Sequence, residues 1–242
     1  IGINLNPNNA CNWRCVYCQV PGLVRGAAPT VELDKLRLEL SAMVQDVIRG
    51  EFLARYVAEG ARRLNDIALS GNGEPTSAPE FDRVIDLIAQ VRGEAGVPAE
   101  VKTVLITNGS LLHRPVIAKA VAAMAELNGE VWYKLDRATD SGMRKINNTR
   151  VGMARVKNNL KISASACRTW LQTCAFLLDG TGAGAAETGA YLEFLRARMA
   201  EGVRLEGVLL YGLARQSFQP EASRLLRMPS QEIEELGEKI RG

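Results

Sequence analysis

The sequence predicts an α/β fold: six parallel strands alternating with helices in a partial (β/α)6 barrel, a single domain over residues 1–242. Three observations predict it. Six short apolar runs alternate with helical periodicity, the pattern of parallel strands joined by right-handed crossovers. The run Val104-Leu105-Ile106 is apolar at every position, as a strand covered on both faces is. Finally, the residue types that carry chemistry cluster just after predicted strand ends, where barrels of this kind place their sites.

In order along the chain, Ile1 to Leu5 reads as the first strand, broken by Asn6-Pro7-Asn8-Asn9. The chain is then irregular through Pro21-Gly22 and Gly26 to Pro29. Thr30 is the expected N-cap of a long helix with Glu32 and Asp34 in its first turn, running to about Gly50, with a second helix towards Gly60. Ile67 to Ser70 is the second strand. After Pro79, the spacing of Phe81, Val84, Ile85, Ile88 and Val91 predicts an amphipathic helix. Val101 to Thr107 is the third strand, Pro115 to Leu127 a helix, and Val131 to Leu135 the fourth strand. Polar helix and loop follow to about Asn159. Thr169 to Leu178 is the fifth strand and Asp179-Gly180-Thr181-Gly182 a turn. Ala186 to Met199 is a helix, Leu205 to Tyr211 the sixth strand, and Ser230 to Ile240 the closing helix.

Composition bounds the function classes. The chain is 47% hydrophobic and 24% charged with net charge +3, an ordinary globular balance that does not by itself call for nucleic acid. No apolar run reaches the roughly 20 residues needed to cross a bilayer, so no membrane partner is expected. No secretory signal is expected from these residues. Five cysteines, three packed together, fit a reducing, cytoplasmic compartment. The chain opens at Ile1 inside an apolar stretch, so residues are expected to precede it.

The three packed cysteines are Cys11, Cys15 and Cys18, spaced C-x3-C-x2-C in Cys11-Asn12-Trp13-Arg14-Cys15-Val16-Tyr17-Cys18. Thiolates this close can reach one inorganic cluster from one loop. Three ligands leave one iron of a 4Fe–4S cubane incompletely held, and an open metal position can bind a substrate. A zinc site ordinarily needs four protein ligands in two pairs. Here Cys167 and Cys174 lie farther apart, and His113 is the only histidine. A disulfide scaffold is disfavoured in a chain of this length with so few cysteines.

This segment resembles the signature of the radical S-adenosylmethionine (SAM) enzymes, including the aromatic Tyr17 before the third cysteine. Gly71-Asn72-Gly73-Glu74-Pro75 is similar to that family's Gly-Gly-Glu-Pro segment, with Asn72 inserted. Among subgroups, the chain resembles the Fe–S oxidoreductases grouped with wyosine-type tRNA-modifying enzymes. The resemblance implies a TIM-like barrel of the radical SAM type, with a 4Fe–4S cluster and SAM as cofactors. It implies reductive cleavage of SAM to methionine and a 5′-deoxyadenosyl radical that abstracts hydrogen from a substrate. That substrate is a small molecule, a peptide or RNA, and a low-potential donor such as a flavodoxin or ferredoxin supplies the electron. Two other classes stay open: an Fe–S electron-transfer or sensing protein that does not cleave SAM, and a zinc-binding interaction module.

The resemblance also suggests cofactor contacts. Tyr17 stands where adenine is approached, or else is a packing aromatic. Gly71 and Gly73 allow close backbone approach to a ligand, and Glu74 with nearby carbonyls can accept from an α-ammonium; the alternative is a plain turn. On the first reading a side chain at Gly73 blocks SAM and spares the cluster. Asn108 suits a ribose or carboxylate, or else a turn. Lys134 and Asp136 share a face by strand periodicity, Lys134 for the SAM carboxylate and Asp136 for a ribose hydroxyl or substrate, unless they form a structural pair. Gln172 lies in an otherwise apolar run and needs a partner. Leu213 stands where such barrels present backbone to adenine. Cys167 and Cys174 are expected to be buried rather than ligands. His113 reads as a surface or capping residue, and Arg215, Arg224 and Arg227 as a solvated face or phosphate contacts.

Overall fold

The computed structural model describes residues 1–242. Its main sheet contains β1 (Gly2–Ile3), then a short separate pair, β2 (Ala10–Cys11) and β3 (Val24–Arg25), then β4 (Asp66–Leu69), β5 (Lys102–Thr107), β6 (Gly129–Lys134), β7 (Arg168–Leu178), β8 (Gly207–Gly212) and β9 (Leu225–Arg227). The spatial order β1-β4-β5-β6-β7-β8 follows the chain, and every one of these pairings is parallel. β1 and β8 do not pair, so the barrel stays open. The six strands expected from the apolar runs are all present. The sequence reading missed β9, which pairs antiparallel with the far end of β7 from Phe176 to Leu178.

Helices cover the sheet: α1 (Leu33–Arg49), the short α2 (Phe52–Tyr56), α3 (Phe81–Ala95), α4 (Pro115–Met124), α5 (Asp140–Asn147), α6 (Met153–Ala166), α7 (Gly184–Ala200) and α8 (Ser230–Arg241). The apolar stripe of α3 is buried as its spacing requires, Phe81, Val84 and Ile88 completely so. The helix stops at Gly96, whose φ of 65° suits glycine. Pro115 opens α4, where its missing N–H costs nothing. Thr139 caps α5 by accepting from Gly142 N at 2.9 Å. The expected cap at Thr30 is not formed. Glu32 occupies the N-cap of α1 without a side-chain bond, and Val31 N just before it is held by Glu80 Oε2 at 2.9 Å. The polar stretch after Leu135 resolves into α5 and α6, joined through Asn148 at φ 47°.

One core of 33 buried residues fills the space between strands and helices. A smaller cluster containing Val16, Tyr17, Phe176 and Leu178 lies under the cysteine loop. No helix is long and apolar enough to cross a membrane.

Candidate functional site

A cavity of about 380 Å³ opens at the C-terminal ends of the strands. Cys11, Cys15 and Cys18 line it together with Gly71, Gly73, Glu74, Asn108, Lys134, Gln172 and Leu213. The topology explains this convergence: the cysteine loop leaves β1, Gly71–Glu74 leaves β4, Asn108 leaves β5, and Leu213 leaves β8. Lys134 and Gln172 are direct neighbours in the β6–β7 register.

The three cysteines are free thiols. All three line one cavity, and three such thiol ligands suit a cluster with one open iron. Burial pushes the Cys11 thiol up to about 12 and the Cys15 thiol to about 11, and raises Cys18 as well. Such a site disfavours bare thiolates, and a cationic metal group compensates that cost. The residues present therefore fit a cluster. Cys11 Sγ accepts from Trp13 N at 3.4 Å, and Cys15 Sγ from Asn147 Nδ2 at 3.2 Å. Donors aimed at ligand sulfurs orient them and tune what they bind.

The glycines line the cavity and also pack closely against the protein itself. Neither has a positive φ. A Cβ on Gly71 would lie 2.2 Å from Asn4 Oδ1, and a Cβ on Gly73 would lie 1.9 Å from Ala10 O. The close approach is thus to the protein's own Asn4–Ala10 segment. Asn72 seals that contact by donating to Asn9 Oδ1 at 2.7 Å. Glu74, also in the cavity lining, has protein partners of its own. Its Oε1 accepts from Thr76 N, Thr76 Oγ1 and Thr107 Oγ1, and its Oε2 from Asn108 N. Four donors use about all the lone-pair positions of a carboxylate, so its side chain ties the loop to β5 and leaves little for an α-ammonium. Burial raises its pKa although these bonds oppose the shift. Asn108 donates to Asn12 Oδ1 at 2.7 Å and accepts from Ser110 N at 3.0 Å, bracing the cysteine loop. One N–H and one lone pair of its amide remain.

The Lys134–Asp136 pairing is also corrected. Asp136 is 2% exposed and accepts from Tyr17 Oη, from Asn147 Nδ2 at 2.6 Å and from Cys174 N at 3.0 Å. It lies beyond β6, covered by protein, and does not line the cavity. Both oxygens of its carboxylate are thus engaged by protein donors. Half-buried Lys134 does reach the cavity, and Nζ donates to Tyr17 Oη at 2.9 Å and Tyr211 Oη at 3.1 Å. Burial disfavours its charge, but Asp136 and Tyr211 outweigh that, and its pKa is raised. Tyr17 is a buried wall residue, its ring 5.2 Å from Phe176 and its hydroxyl engaged on both sides. The side-chain amide of Gln172 has no protein hydrogen bond, although it lines the cavity.

Several residues escaped the sequence reading. Asn147, with no surface exposed, joins Cys15 to Asp136. Its only sequence signal is the Asn147-Asn148 pair at a helix end. Tyr211 ends β8 facing Lys134, and its burial pushes its hydroxyl up to about 12. Cys174 lines the cavity but is buried, its thiol raised by burial to about 12, and Cys167 is buried elsewhere in the core. His113 is exposed and caps nothing. Arg224 pairs with Asp179 at 2.6 Å, Arg227 donates only to Ala214 O, and Arg215 is exposed.

Comparison with known proteins follows the same lines. A UPF0026 protein of Helicobacter pylori is 27% identical over 127 residues, covering 50% of this chain and 34% of its own length. The chain thus spans about a third of the curated relatives it matches. SuiB of Streptococcus suis, solved with S-adenosylmethionine bound, superposes with TM-score 0.60 at 10% identity, over 99% of this chain and 42% of that one. A spore photoproduct lyase variant superposes with TM-score 0.59 at 11% identity, over 96% and 70%. These likenesses show the fold. The sequence model of the Radical SAM superfamily matches residues 5–195, which take in the cysteine loop, the Gly71–Pro75 segment and four of the six parallel strands, β4 to β7. With that match over most of its length, the chain belongs to the radical SAM superfamily.

Proposed function

We propose that this chain is the catalytic core of an enzyme that cleaves SAM reductively at a 4Fe–4S cluster and takes hydrogen from a substrate, a small molecule, peptide or RNA. A low-potential flavodoxin or ferredoxin supplies the electron. The bound cofactor pair supplies the cleavage and the hydrogen abstraction. The chain's own residues hold and orient it. Cys11, Cys15 and Cys18 are the cluster ligands, with Trp13 N and Asn147 fixing two of the sulfurs. The Lys134 ammonium has only hydroxyl partners and offers its charge to a carboxylate. Gln172 offers an unpartnered amide, and the backbone at Leu213 approaches a flat ring. Asn108 keeps spare hydrogen-bonding capacity for a polar ligand group. Gly71, Gly73 and Glu74 shape the wall, and Tyr17 closes the floor.

One observation carries this reading: three thiols, an ammonium without a carboxylate and an amide without a partner all line one cavity. The test is anaerobic reconstitution of wild type and Cys→Ala variants. Cys11→Ala, Cys15→Ala and Cys18→Ala are each expected to lose the iron–sulfur absorbance, and Cys167→Ala to keep it. The wild type is expected to release methionine and 5′-deoxyadenosine from SAM under a strong reductant. A cluster that forms but leaves SAM intact would assign the protein to electron transfer or sensing instead.

A further inference from the structure

A second, larger cleft of about 1120 Å³ opens beside the cysteine loop. Asn12 and Trp13 form part of its wall, and Trp13 lines the cofactor cavity as well. Arg25, Arg150 and Arg155 line this cleft, and no aspartate or glutamate does. None of the three arginines is in an ion pair, whereas Arg14, Arg37, Arg55, Arg168, Arg198 and Arg224 all are. Arg150 has no side-chain partner in the protein. Arg155 Nη1 meets only His113 Nε2, at 3.0 Å. Arg25 donates to Asn12 O at 2.9 Å and to Asn148 O. A guanidinium carries five N–H donors, so most of those in the cleft stay free. Asp140, beside the cleft residue Gly152, accepts from Met153 N at 2.7 Å and does not line the cleft.

Three exposed cations around one polar cleft give it a positive field that favours an anion. The planar fork of arginine matches the oxygens of a phosphate, and several such forks match a ligand with several phosphate groups. The buried indole N–H of Trp13 has no acceptor in the protein. The loop that carries Arg150 also holds the cysteine loop: Arg14 N donates to Asn147 O at 3.1 Å, and Asn148 Nδ2 to Arg14 O at 3.0 Å. A ligand seated in the cleft therefore rests against the segment that bears the cluster ligands.

We propose that this cleft binds phosphate groups of the substrate and presents the rest of it towards the cofactor cavity. Calling the ligand a substrate rests on the function proposed above; the binding of phosphate does not. The probes are inorganic pyrophosphate and a short single-stranded oligouridylate, titrated onto the anaerobically reconstituted full chain at several salt concentrations. At least one is expected to bind, and the double variant R150Q/R155Q is expected to bind about tenfold to a hundredfold more weakly. For the oligonucleotide the salt slope is expected to fall by roughly 0.7 per contact removed. R83Q, an exposed arginine on α3, is the control and keeps full affinity. Binding of pyrophosphate alone supports a phosphorylated small molecule, and tighter binding of the oligonucleotide supports a nucleic acid strand. Binding of neither probe, an unaffected double variant, or an equal loss in R83Q would overturn the proposal. SAM cleavage is measured in the same samples without probe, so its failure alongside intact phosphate binding counts against the radical mechanism alone.

Discussion

Gly73→Ala is the sharpest test of how the cysteine loop is held. The added Cβ would stand 1.9 Å from Ala10 O and 2.6 Å from Asn6 Nδ2. The first obstacle is backbone, so it cannot swing aside as a side chain can. Separating the two surfaces to contact distance requires a shift of more than about 1 Å. That shift breaks the bond from Asn6 Nδ2 to Ala10 O, 2.9 Å long and fully buried. The lost bond strands a buried donor at about 1–3 kcal/mol, and the overpacking adds about 1–3 kcal/mol. In a chain of this size that lowers the melting temperature by roughly 4–20 °C. Ala10 directly precedes Cys11, so the first thiol moves with it. The expected result is loss of iron as well as stability, where a ligand-facing glycine would lose SAM affinity only. The assays are thermal melting of the protein before reconstitution and iron and sulfide content after it. Gly93→Ala, in open space on α3, is the paired control and is expected to stabilise by about 0.5–1 kcal/mol. A Gly73→Ala protein with wild-type iron content and melting temperature would refute the reasoning.

Three further outcomes are expected. Lys134→Met removes an ammonium bonded only to two tyrosine hydroxyls, while Asp136 keeps three donors; stability is expected to fall by about 1 kcal/mol or less and SAM affinity, by calorimetry, about tenfold to a hundredfold. Gln172→Leu leaves no protein group unpaired, so an unchanged melting temperature with weaker SAM binding is expected, and unchanged binding would remove Gln172 from the site. The Arg14 hydrogen bonds hold Glu221 below its ordinary value of 4.5. A lowered carboxylate pKa gives stability that is present above 4.5 and lost as pH falls through the folded value. Glu221→Gln is therefore expected to melt lower than wild type at neutral pH, with the two curves converging in acid.

The strands and the cysteines were legible because their signals are local. An apolar run reads as a buried strand wherever it occurs, and C-x3-C-x2-C needs no fold to be seen. Positions after strand ends were legible for the same reason, since strand order then fixes what converges. The partners of each side chain were not legible. Glu74 finds Thr107 and Asn108 only after β4 and β5 pair, and Tyr17 separates Lys134 from Asp136 across 117 and 119 residues. Periodicity placed Lys134 and Asp136 on one face, but β6 ends at Lys134, so strand geometry no longer governs Asp136. Strand β9 was missed because Leu225-Leu226-Arg227 is too short to show a pattern.

The cysteine loop is held by a segment nearly two hundred residues downstream. Phe218 N donates to Cys18 O at 3.0 Å, Ser217 Oγ to Val16 O at 2.8 Å, and Arg14 grips Glu221 with both Nη atoms. Closing a loop that long is slow relative to local structure, and the contacts that repay it come last. On a ribosome the cysteines emerge about two hundred residues before this clamp, which cannot form until residues 217–221 have been made. Until then the loop is held by its bonds to Asn108 and the 146–148 segment without the clamp, and its thiols stay more open to oxidation and to stray metals. The timing of translation thus orders assembly: barrel first, clamp second, and only then a finished seat for the cluster.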